Sequence, residues 1–304
     1  MTSRRRTILG LLVGLIGIGW LVLWFVVPKH SIPPPAQTPT TPTPTPEIVT
    51  TPASTSSVTQ IGQSVEGRPI MVHTFGTGNT NVLFVGGIHG GYEWNSILLA
   101  YEMIDAFHAA PATIPESITV HIIPDLNPDG LALVTGLEGR FTLTDIPNND
   151  MHTTGRGRFN ANNVDLNRNF DCNWAPESSW RGQRVSAGTA PFSEPEAAAL
   201  RDYVLTISPA AAVFWHSQAN AVYASECEQG ILPETLVLMN TYAAAAGYRP
   251  IASFDAYPIT GDVEGWLASI GIPAVTVELE GRLTTEWDRN WAGVRAVLAR
   301  YSQE

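Results

Sequence analysis

The sequence predicts a single α/β domain of about 247 residues, which begins at Val58 and runs to the C-terminus. Short apolar runs rich in β-branched residues alternate here with longer runs of helical character, as is typical of α/β domains. The short runs are almost continuously apolar, which indicates a largely buried sheet. The predicted strands are Ile70–Phe75, Asn81–Gly87, Ile118–Ile123, Ala211–His216 and Ala274–Leu279, and the predicted helices are Glu93–His108, Glu194–Ile207, Pro233–Gly247, Asp262–Ile270 and Glu286–Tyr301.

Three segments precede this domain. Residues 1–6 are a basic tail, and residues 7–27 are an uncharged apolar run of 21 residues that is long enough, as a helix, to span a hydrocarbon core of about 30 Å. A cleaved signal peptide is the alternative, but it would have a shorter apolar core and a small-residue cleavage site, whereas PKHSIPPP follows here. The basic tail predicts a cytoplasmic N-terminus. We therefore expect a single-pass signal anchor in the cell membrane, with the domain on the extracytoplasmic side.

The third segment, residues 28–57, is a linker rich in Pro and Thr that includes TPTTPTPTP. It has no hydrophobic period with which to form a core, and its prolines favour extended polyproline II. At about 3.1 Å per residue, residues 31–57 of this linker would form a stalk of roughly 80 Å when fully extended.

The charge balance argues against nucleic acid as a partner. From Val58 onward, 27 acidic residues stand against 13 arginines and no lysine. A surface with this excess of negative charge repels a polyphosphate backbone.

Unusual polar residues lie at or near the ends of three predicted strands. His89 follows one strand, His216 ends another, and Glu278 stands near the end of a third. Ligands of open α/β sheets bind beyond the carboxyl ends of the strands, so these residues indicate one common site.

The segment VLFVGGIHGGYEWN places His89 and Glu93 where a strand gives way to a helix. A hydrolytic zinc site takes three nitrogen or oxygen ligands from the protein, and this turn offers two of them. His216, at the end of AAVFWHSQ, offers the third. The alternatives are an ordinary polar turn and a buried histidine of the core.

The segment RFNANNVDLNRNFD, residues 158–171, holds an Asn167–Arg168 pair suited to a carboxylate, because a planar guanidinium offers two parallel donors. A charged surface loop is the alternative. Further on, PAVTVELEG places Glu278 in an apolar strand, where a carboxylate is costly unless it is paired or lies near a metal. Such a group could move a proton between water and a leaving amine.

Together these motifs resemble the carboxypeptidase A-type zinc metallopeptidases, here as a bacterial, membrane-anchored member, from about Gly62 to the C-terminus. The resemblance implies a mixed, twisted sheet of about eight strands flanked by helices. It rests on His89 and Glu93, NPDG at 127–130, NVDLNRNF at 163–170, PFSEPEA at 191–197, His216 and VEL at 277–279.

Carried onto this sequence, the resemblance implies one zinc ion per chain and a role for each matched residue. The implied ligands are His89, Glu93 and His216, the general base and acid is Glu278, the carboxylate clamp is Asn167 and Arg168, the polariser of the scissile carbonyl is Arg158, the outer partner of His89 is Asp165, and the mobile tyrosine is Tyr257.

Two features of the match leave alternatives open. The family's first motif is usually His-x-x-Glu, whereas three residues separate His89 from Glu93 here, so a lost ligand and a degenerate site are the alternative. Arg140 and Arg156 also lie close enough in sequence to compete with Arg158 for its role.

Asp262 and Glu264, in TGDVEGW, fall where the family's side-chain pocket is lined, and they suggest a basic substrate residue such as lysine, arginine or diaminopimelate. The alternative is that Asp262 caps the following helix.

Cys172 and Cys227, the only cysteines, predict a disulfide at the rim of the site, because a cysteine pair can persist oxidised outside the cytoplasm. Two unrelated thiols are the alternative.

The expected function is hydrolysis of the C-terminal amide bond of peptides, among them the stem peptides of peptidoglycan. An amidohydrolase of small N-acyl amino acids and an inactive peptide-binding module remain as alternatives.

Overall fold

The computed structural model describes residues 56–147, 150–255 and 257–303. The predicted basic tail, the predicted anchor and nearly all of the predicted linker lie outside these residues. The first strand begins at Ser56, two residues before the predicted start of the domain. Within the described part of the chain, no helix is both long and apolar enough to cross a membrane.

One mixed sheet of eight strands forms the centre of the domain, in the order β1-β2-β4-β3-β7-β10-β8-β9. Strands β4, β3, β7 and β10 run parallel, β8 and β9 run parallel to each other, and the other neighbours are antiparallel. A separate hairpin is formed by β5 and β6. The strands are β1 Ser56–Gln63, β2 Pro69–Gly76, β3 Thr80–Val85, β4 Ile118–Ile123, β5 Glu177–Trp180, β6 Gln183–Ser186, β7 Ala211–Ser217, β8 Ala221–Ala224, β9 Arg249–Ile251 and β10 Ala274–Leu279.

Helices cover both faces of the sheet, because alternate side chains of the central strands point to opposite sides. On β3, Val82 and Phe84 pack into one apolar cluster with residues of three helices, and Leu83 and Val85 pack into a second cluster on the other face. Both clusters consist of residues almost fully removed from solvent. The helices are α1 Trp94–Ala109, α2 Pro128–Thr135, α3 Met151–Thr154, α4 Pro195–Ile207, α5 Pro233–Ala246, α6 Val263–Ser269 and α7 Trp287–Tyr301.

The five predicted strands and the five predicted helices are confirmed, with ends that differ by at most two residues. The eight-stranded mixed sheet that the resemblance implied is confirmed as well. Strands β1, β5, β6, β8 and β9 and helices α2 and α3 were not predicted.

The topology brings the polar strand ends together. Strands β3, β7 and β10 are parallel neighbours, so their carboxyl ends lie at one edge of the sheet. Within the β7–β10 pair, Glu278 stands directly opposite His216. His89 follows β3 by four residues and reaches the same edge.

Candidate active site and metal centre

His89, Glu93 and His216 form a buried triad at this edge, and each contributes one possible ligand atom. The Nδ1 of His89 lies 3.1 Å from Glu93 Oε2. The Nδ1 of His216 lies 3.1 Å from the same oxygen and 3.2 Å from His89 Nδ1. The three atoms therefore form a nearly equilateral triangle.

This triangle fits zinc. Ligand bonds of about 2.0–2.1 Å around a tetrahedral ion separate the ligand atoms by roughly 3.3 Å, close to the observed spacing. Two imidazole nitrogens and a carboxylate oxygen are donors that zinc prefers, and three protein ligands leave a fourth position for water or substrate.

The three-residue spacing between His89 and Glu93 is accommodated by a 3₁₀ turn over Gly90–Glu93. Gly90 has a φ of 43°, and a Cβ at that position would lie 2.8 Å from the carbonyl oxygens of both Asn127 and Gly157. Only glycine fits such a position without displacing backbone. The turn thus brings Glu93 to the triad despite its departure from the usual motif.

The outer nitrogens of both histidines face buried carboxylates. Asp165 Oδ1 lies 3.4 Å from His89 Nε2, as the resemblance implied. Glu264 Oε1 lies 3.4 Å from His216 Nε2. Carboxylates in this position orient a metal-binding imidazole and make it more basic.

Glu264, which was predicted to bind substrate, also contacts the metal-site residue His216. Its Oε1 accepts a hydrogen bond from Thr276 Oγ1 at 2.8 Å, and its Oε2 accepts one from Asn167 Nδ2 at 3.5 Å. The residue is 3% exposed, although it still borders the cavity. Both of its oxygens are therefore engaged by the protein.

The triad is electrostatically coupled. Burial opposes the ionised form of Glu93, yet His89 and His216 hold the pKa of this carboxyl well below its usual range. Burial likewise opposes the charged form of His216, but hydrogen bonds from its ring to Glu264 and Glu93 raise the pKa of His216 to about 10. A cation is thus favoured between these carboxylates, whether a proton or a metal ion.

Glu278 lies beside the triad on the next strand. Its Oε2 is buried and has no hydrogen-bond partner among the described residues. Burial, together with the negative charge of Glu93, raises the pKa of Glu278 to about 7. A carboxyl with this pKa can accept and release a proton near neutral pH.

Arg158 is the arginine that the structure brings to the triad. Its Nη1 lies 3.2 Å from His89 Nδ1, and its Nε and Nη2 donate to Asp165 Oδ2 at 2.9 and 2.8 Å. The competitors lie elsewhere, since Arg140 pairs with Asp105 on the surface and Arg156 is exposed away from the cavity. Burial opposes the charge of Asp165, but Arg158 holds its pKa far below the usual range.

Arg168 and Asn167 line the same cavity, which has a volume of about 650 Å³. Arg168 Nη1 donates to the backbone oxygen of Asn167, and the buried Nε has no hydrogen-bond partner among the described residues. The Asn167 side chain is partly engaged, because its Oδ1 accepts from the backbone N–H of Val263 at 2.9 Å. Of the two residues of the predicted carboxylate clamp, Arg168 is therefore better able than Asn167 to bind an anion.

Asp262 both caps a helix and faces the cavity. Its Oδ2 accepts from the backbone N–H of Gly265 at 2.8 Å, at the N-terminus of α6. Burial and the neighbouring Glu264 raise the pKa of Asp262 to about 6.

Tyr257 also lines the cavity, is 37% exposed, and packs edge-to-face on Phe254 with 4.8 Å between ring centroids.

Cys172 and Cys227 form the predicted disulfide, with 6.0 Å between their Cα atoms. Both residues line the cavity, so the prediction that they border the site is confirmed.

Several residues that line the cavity were not identified from the sequence, among them Trp180, Tyr92 and Arg282. Trp180, at the end of β5, lies under the Arg158 guanidinium, 4.7 Å from it. Tyr92 packs edge-to-face on Trp180, and the Arg282 guanidinium lies over the Tyr92 ring at 3.7 Å. Tyr92 could have been suspected because it directly precedes Glu93, whereas nothing in the pattern around Trp180 or Arg282 indicated a site.

Comparisons with known proteins agree with this geometry. A model of the zinc carboxypeptidase family matches residues 46–284, which is well over half of the chain. The chain is 27% identical over 240 residues to gamma-D-glutamyl-L-diamino acid endopeptidase 1 of Lysinibacillus sphaericus, a match that covers 73% of this chain and 60% of that protein. The chain thus spans less than two thirds of that relative.

Two solved structures show the same fold. Carboxypeptidase A from Helicoverpa armigera has a TM-score of 0.61 and 22% identity, over 81% of this chain and 68% of that one. The murein-tripeptide amidase from Escherichia coli O157 has a TM-score of 0.54 and 22% identity, over 80% of this chain and 91% of that one.

Proposed function

The chain belongs to the zinc carboxypeptidase family, and from that premise we propose that it hydrolyses the C-terminal amide bond of peptides, with peptidoglycan stem peptides as the substrate class. One observation carries the proposal: the zinc triad, a proton-transfer carboxyl at Glu278 and the buried guanidinium of Arg168 all border one cavity.

The chain's residues divide the chemistry among them. His89, Glu93 and His216 would hold a zinc ion, which when bound would supply Lewis acidity for the carbonyl and for water. Glu278 accepts the proton of the attacking water and delivers it to the leaving amine. Arg158 places donors toward the developing negative charge on the carbonyl oxygen, where such stabilisation contributes most to catalysis.

Arg168 confines the reaction to a chain end. Its buried guanidinium binds the terminal carboxylate of the substrate, with Asn167 beside it. A peptide that continues beyond this point has no carboxylate to offer, so internal bonds are cleaved poorly.

The names of two similar proteins support the substrate class. One acts on a γ-D-glutamyl–diamino acid bond and the other is a murein-tripeptide amidase, so each name points to cell-wall peptides. Asp262 faces the cavity near Arg168 and supplies negative charge for the distal amino group of a diamino acid. We infer that the removed residue is a diamino acid.

We further propose that the predicted anchor at residues 7–27 and the linker at 28–57 hold the domain outside the cytoplasmic membrane, within reach of the cell wall. The Cys172–Cys227 disulfide supports this location, because disulfides persist mainly outside the cytoplasm. The full chain should sediment with membranes and be degraded by protease added to intact spheroplasts. Protection from that protease would contradict the proposed side of the membrane.

The catalytic proposal is tested with the purified full chain in detergent, loaded with zinc. Substrates are a γ-glutamyl–diaminopimelate peptide, an α-linked peptide ending in lysine and an N-acyl amino acid, with products identified by mass spectrometry. Release of the C-terminal residue from a peptide, abolished by chelator and restored by zinc, is expected. Peptide binding without turnover would indicate an inactive binding module, and preferential cleavage of the N-acyl amino acid would indicate an amidohydrolase.

A further inference from the structure

We propose that Trp180 is a positioning residue, whose ring holds the Arg158 guanidinium in the orientation that stabilises negative charge on the carbonyl oxygen of the substrate. Trp180 then affects the chemical step through Arg158. This inference rests on the proposed function, which assigns Arg158 to that oxygen, and it adds the part of the fold that keeps the arginine in place.

The hydrogen bonds of Arg158 to Asp165 do not by themselves fix its orientation. Nε and Nη2 lie 2.9 and 2.8 Å from the same carboxylate oxygen, Asp165 Oδ2. Nη1 is the nitrogen nearest the metal centre, 3.2 Å from His89 Nδ1. Because both bonds end on one oxygen, the guanidinium could turn about that oxygen and move Nη1. A further contact is needed to prevent this movement.

Trp180 supplies that contact. The guanidinium carbon of Arg158 lies over the ring of Trp180, 4.7 Å from its centroid, and 5.8 Å from the ring centroid of Tyr92. Arg158 is only 3% exposed, and an arginine over an aromatic face is held more strongly where water is excluded. Tyr92 and Phe159 pack edge-to-face on Trp180 in turn, with 5.1 and 6.0 Å between centroids. These contacts limit the turning that the bonds to Asp165 allow.

A tight turn defines the position of Trp180 in the hairpin. Trp180 is the last residue of β5 and pairs with Gln183, the first residue of β6. The two residues between them, Arg181 and Gly182, have φ values of 52° and 73°. A type I′ turn requires a positive φ at both of these positions, and it matches the natural twist of the two strands. The turn therefore fixes Trp180 relative to β6.

The same hairpin is joined to Asp165. The backbone N–H of Asp165 donates to the carbonyl oxygen of Ser186, the last residue of β6, at 3.0 Å. The neighbouring Val164 forms a β-bridge with Ser186. The Asp165 carboxylate and the Trp180 ring, the two groups that hold Arg158, are thus fixed relative to each other by one element of the fold.

The expected effect of the ring is on the transition state. The amide carbonyl of the bound substrate carries little charge and gains little from a well-aligned guanidinium, whereas negative charge develops on its oxygen during the reaction. Loss of the Trp180 ring should therefore lower kcat and the affinity for a tetrahedral anion, and leave substrate binding nearly unchanged.

The test uses the zinc-loaded full chain, a γ-glutamyl–diaminopimelate peptide and the phosphinic analogue of that peptide, in which a tetrahedral phosphinate replaces the cleaved amide. Trp180→Leu should lower kcat by about 5- to 30-fold, the factor for loss of a shielded cation–π contact, with KM changed by less than about twofold. The Kd of the phosphinic analogue, measured by titration calorimetry, should rise by the same factor as kcat falls. The zinc content should not change.

A double-mutant cycle with Arg158→Ala distinguishes positioning from a general structural role. If Trp180 acts through Arg158, Trp180→Leu should cost less than about twofold more, in kcat or in phosphinate affinity, once residue 158 is alanine. Trp180→Phe, which keeps an aromatic face, should retain at least about one third of the wild-type kcat. The phenylalanine variant provides the same cycle if the leucine variant does not fold.

Trp174→Leu is the matched control. Trp174 is half-buried like Trp180 and lies in the same loop closed by the disulfide, where its Nε1 donates to the carbonyl oxygen of Ala187 at 3.0 Å. It does not line the cavity. The control should leave kcat and the phosphinate Kd near the wild-type values.

Two results would overturn the inference and leave the proposed function standing. Equal losses from Trp180→Leu in the wild-type and Arg158→Ala backgrounds would assign Trp180 a purely structural role. An unchanged phosphinate Kd in zinc-loaded Trp180→Leu would show that the ring does not act on the charged oxygen. If the zinc-loaded wild type neither cleaves the peptide nor binds the analogue, the proposed function fails, and this inference fails with it.

Discussion

Glu264 Oε1 lies 3.4 Å from Nε2 of His216, on the side of the ring that faces away from the other two metal ligands. Asp165 stands in the same relation to His89. Each histidine thus has one nitrogen for the metal and one for a carboxylate, and the two carboxylates set both the ring orientation and the basicity of the ligands.

Glu264→Gln should weaken zinc binding by about 10- to 100-fold, because the amide removes the negative charge that makes His216 a strong ligand. The measurement is the zinc Kd by competition with a chromophoric chelator. Asp262→Asn is the control, since an asparagine still caps α6 and the carboxylates paired with the His216 ring are those of Glu93 and Glu264. If Glu264→Gln leaves the zinc Kd unchanged but alters the preference for the C-terminal residue of the substrate, Glu264 binds substrate, as the sequence predicted.

Glu278→Gln should retain zinc and lose about 10²- to 10⁴-fold in kcat, because the amide cannot accept the proton of water. Glu280→Gln serves as the comparison, since Glu280 follows two residues later and is exposed. If Glu278→Gln turns over normally and Glu280→Gln does not, the proton-transfer group is Glu280.

Zinc binding should weaken as the pH falls. Carboxylate hydrogen bonds raise the pKa of His216 to about 10 in the protein without metal, so below pH 10 the zinc ion must displace a proton from this ring. The Kd for zinc should therefore rise up to tenfold for each unit of decreasing pH between 8 and 6. Titration calorimetry in buffers of different ionisation enthalpy reports the released protons. Zinc binding with no proton release at pH 7 would contradict the raised pKa.

Amidation of the substrate's C-terminus should lower kcat/KM by about 30-fold to several thousandfold, which corresponds to ~2–5 kcal/mol for a buried charge left without its partner. Arg168→Ala should remove most of this difference, because it deletes the group that distinguishes acid from amide. The two peptides are compared with both enzymes. Equal cleavage by wild type would point to endopeptidase activity in place of carboxypeptidase activity.

Loss of the disulfide should lower the free energy of unfolding by roughly 2–4 kcal/mol, because the bond closes a loop with a sequence separation of 55 residues. Cys227→Ser is measured by urea denaturation. The double variant Cys172→Ser/Cys227→Ser should be no less stable than the single one, since both lack the same bond. An unchanged free energy of unfolding in Cys227→Ser would show that loss of the cross-link adds little conformational entropy to the unfolded chain.

The central elements were predictable because their sequences have a single interpretation. Ile118–Ile123 and Ala211–Ser217 are buried along their whole length, and the sequence shows this as runs that are mostly apolar. Strand β1, SSVTQIGQ, is mostly exposed and polar, so its hydrogen bonds to β2 leave no hydrophobic pattern. Strand β8 has only four residues, too few for a period.

The residues of the site likewise fall into those that the sequence pattern predicts and those that depend on tertiary packing. His89, Glu93 and His216 could be predicted because metal ligands are of a few residue types, and because His89 and His216 lie after or at the end of a strand. The position of Glu264 depends on how α6 packs against β10, and the local sequence does not predict that packing. The α2 helix did carry a signal, since Asn127 caps it and Pro128 occupies its first turn, and this signal was overlooked.

The β5–β6 hairpin lies inside the loop that the disulfide closes, and its tip, residues 181–184, is exposed and carries Arg181 and Arg184. A trypsin-like protease that cuts there would leave two fragments still joined covalently through Cys172 and Cys227. His216 would stay on the fragment after the cut and His89 on the one before it, yet the two could not diffuse apart. At the proposed extracytoplasmic location, the disulfide would thus keep the two halves of the metal site in one covalently joined molecule after such a cut.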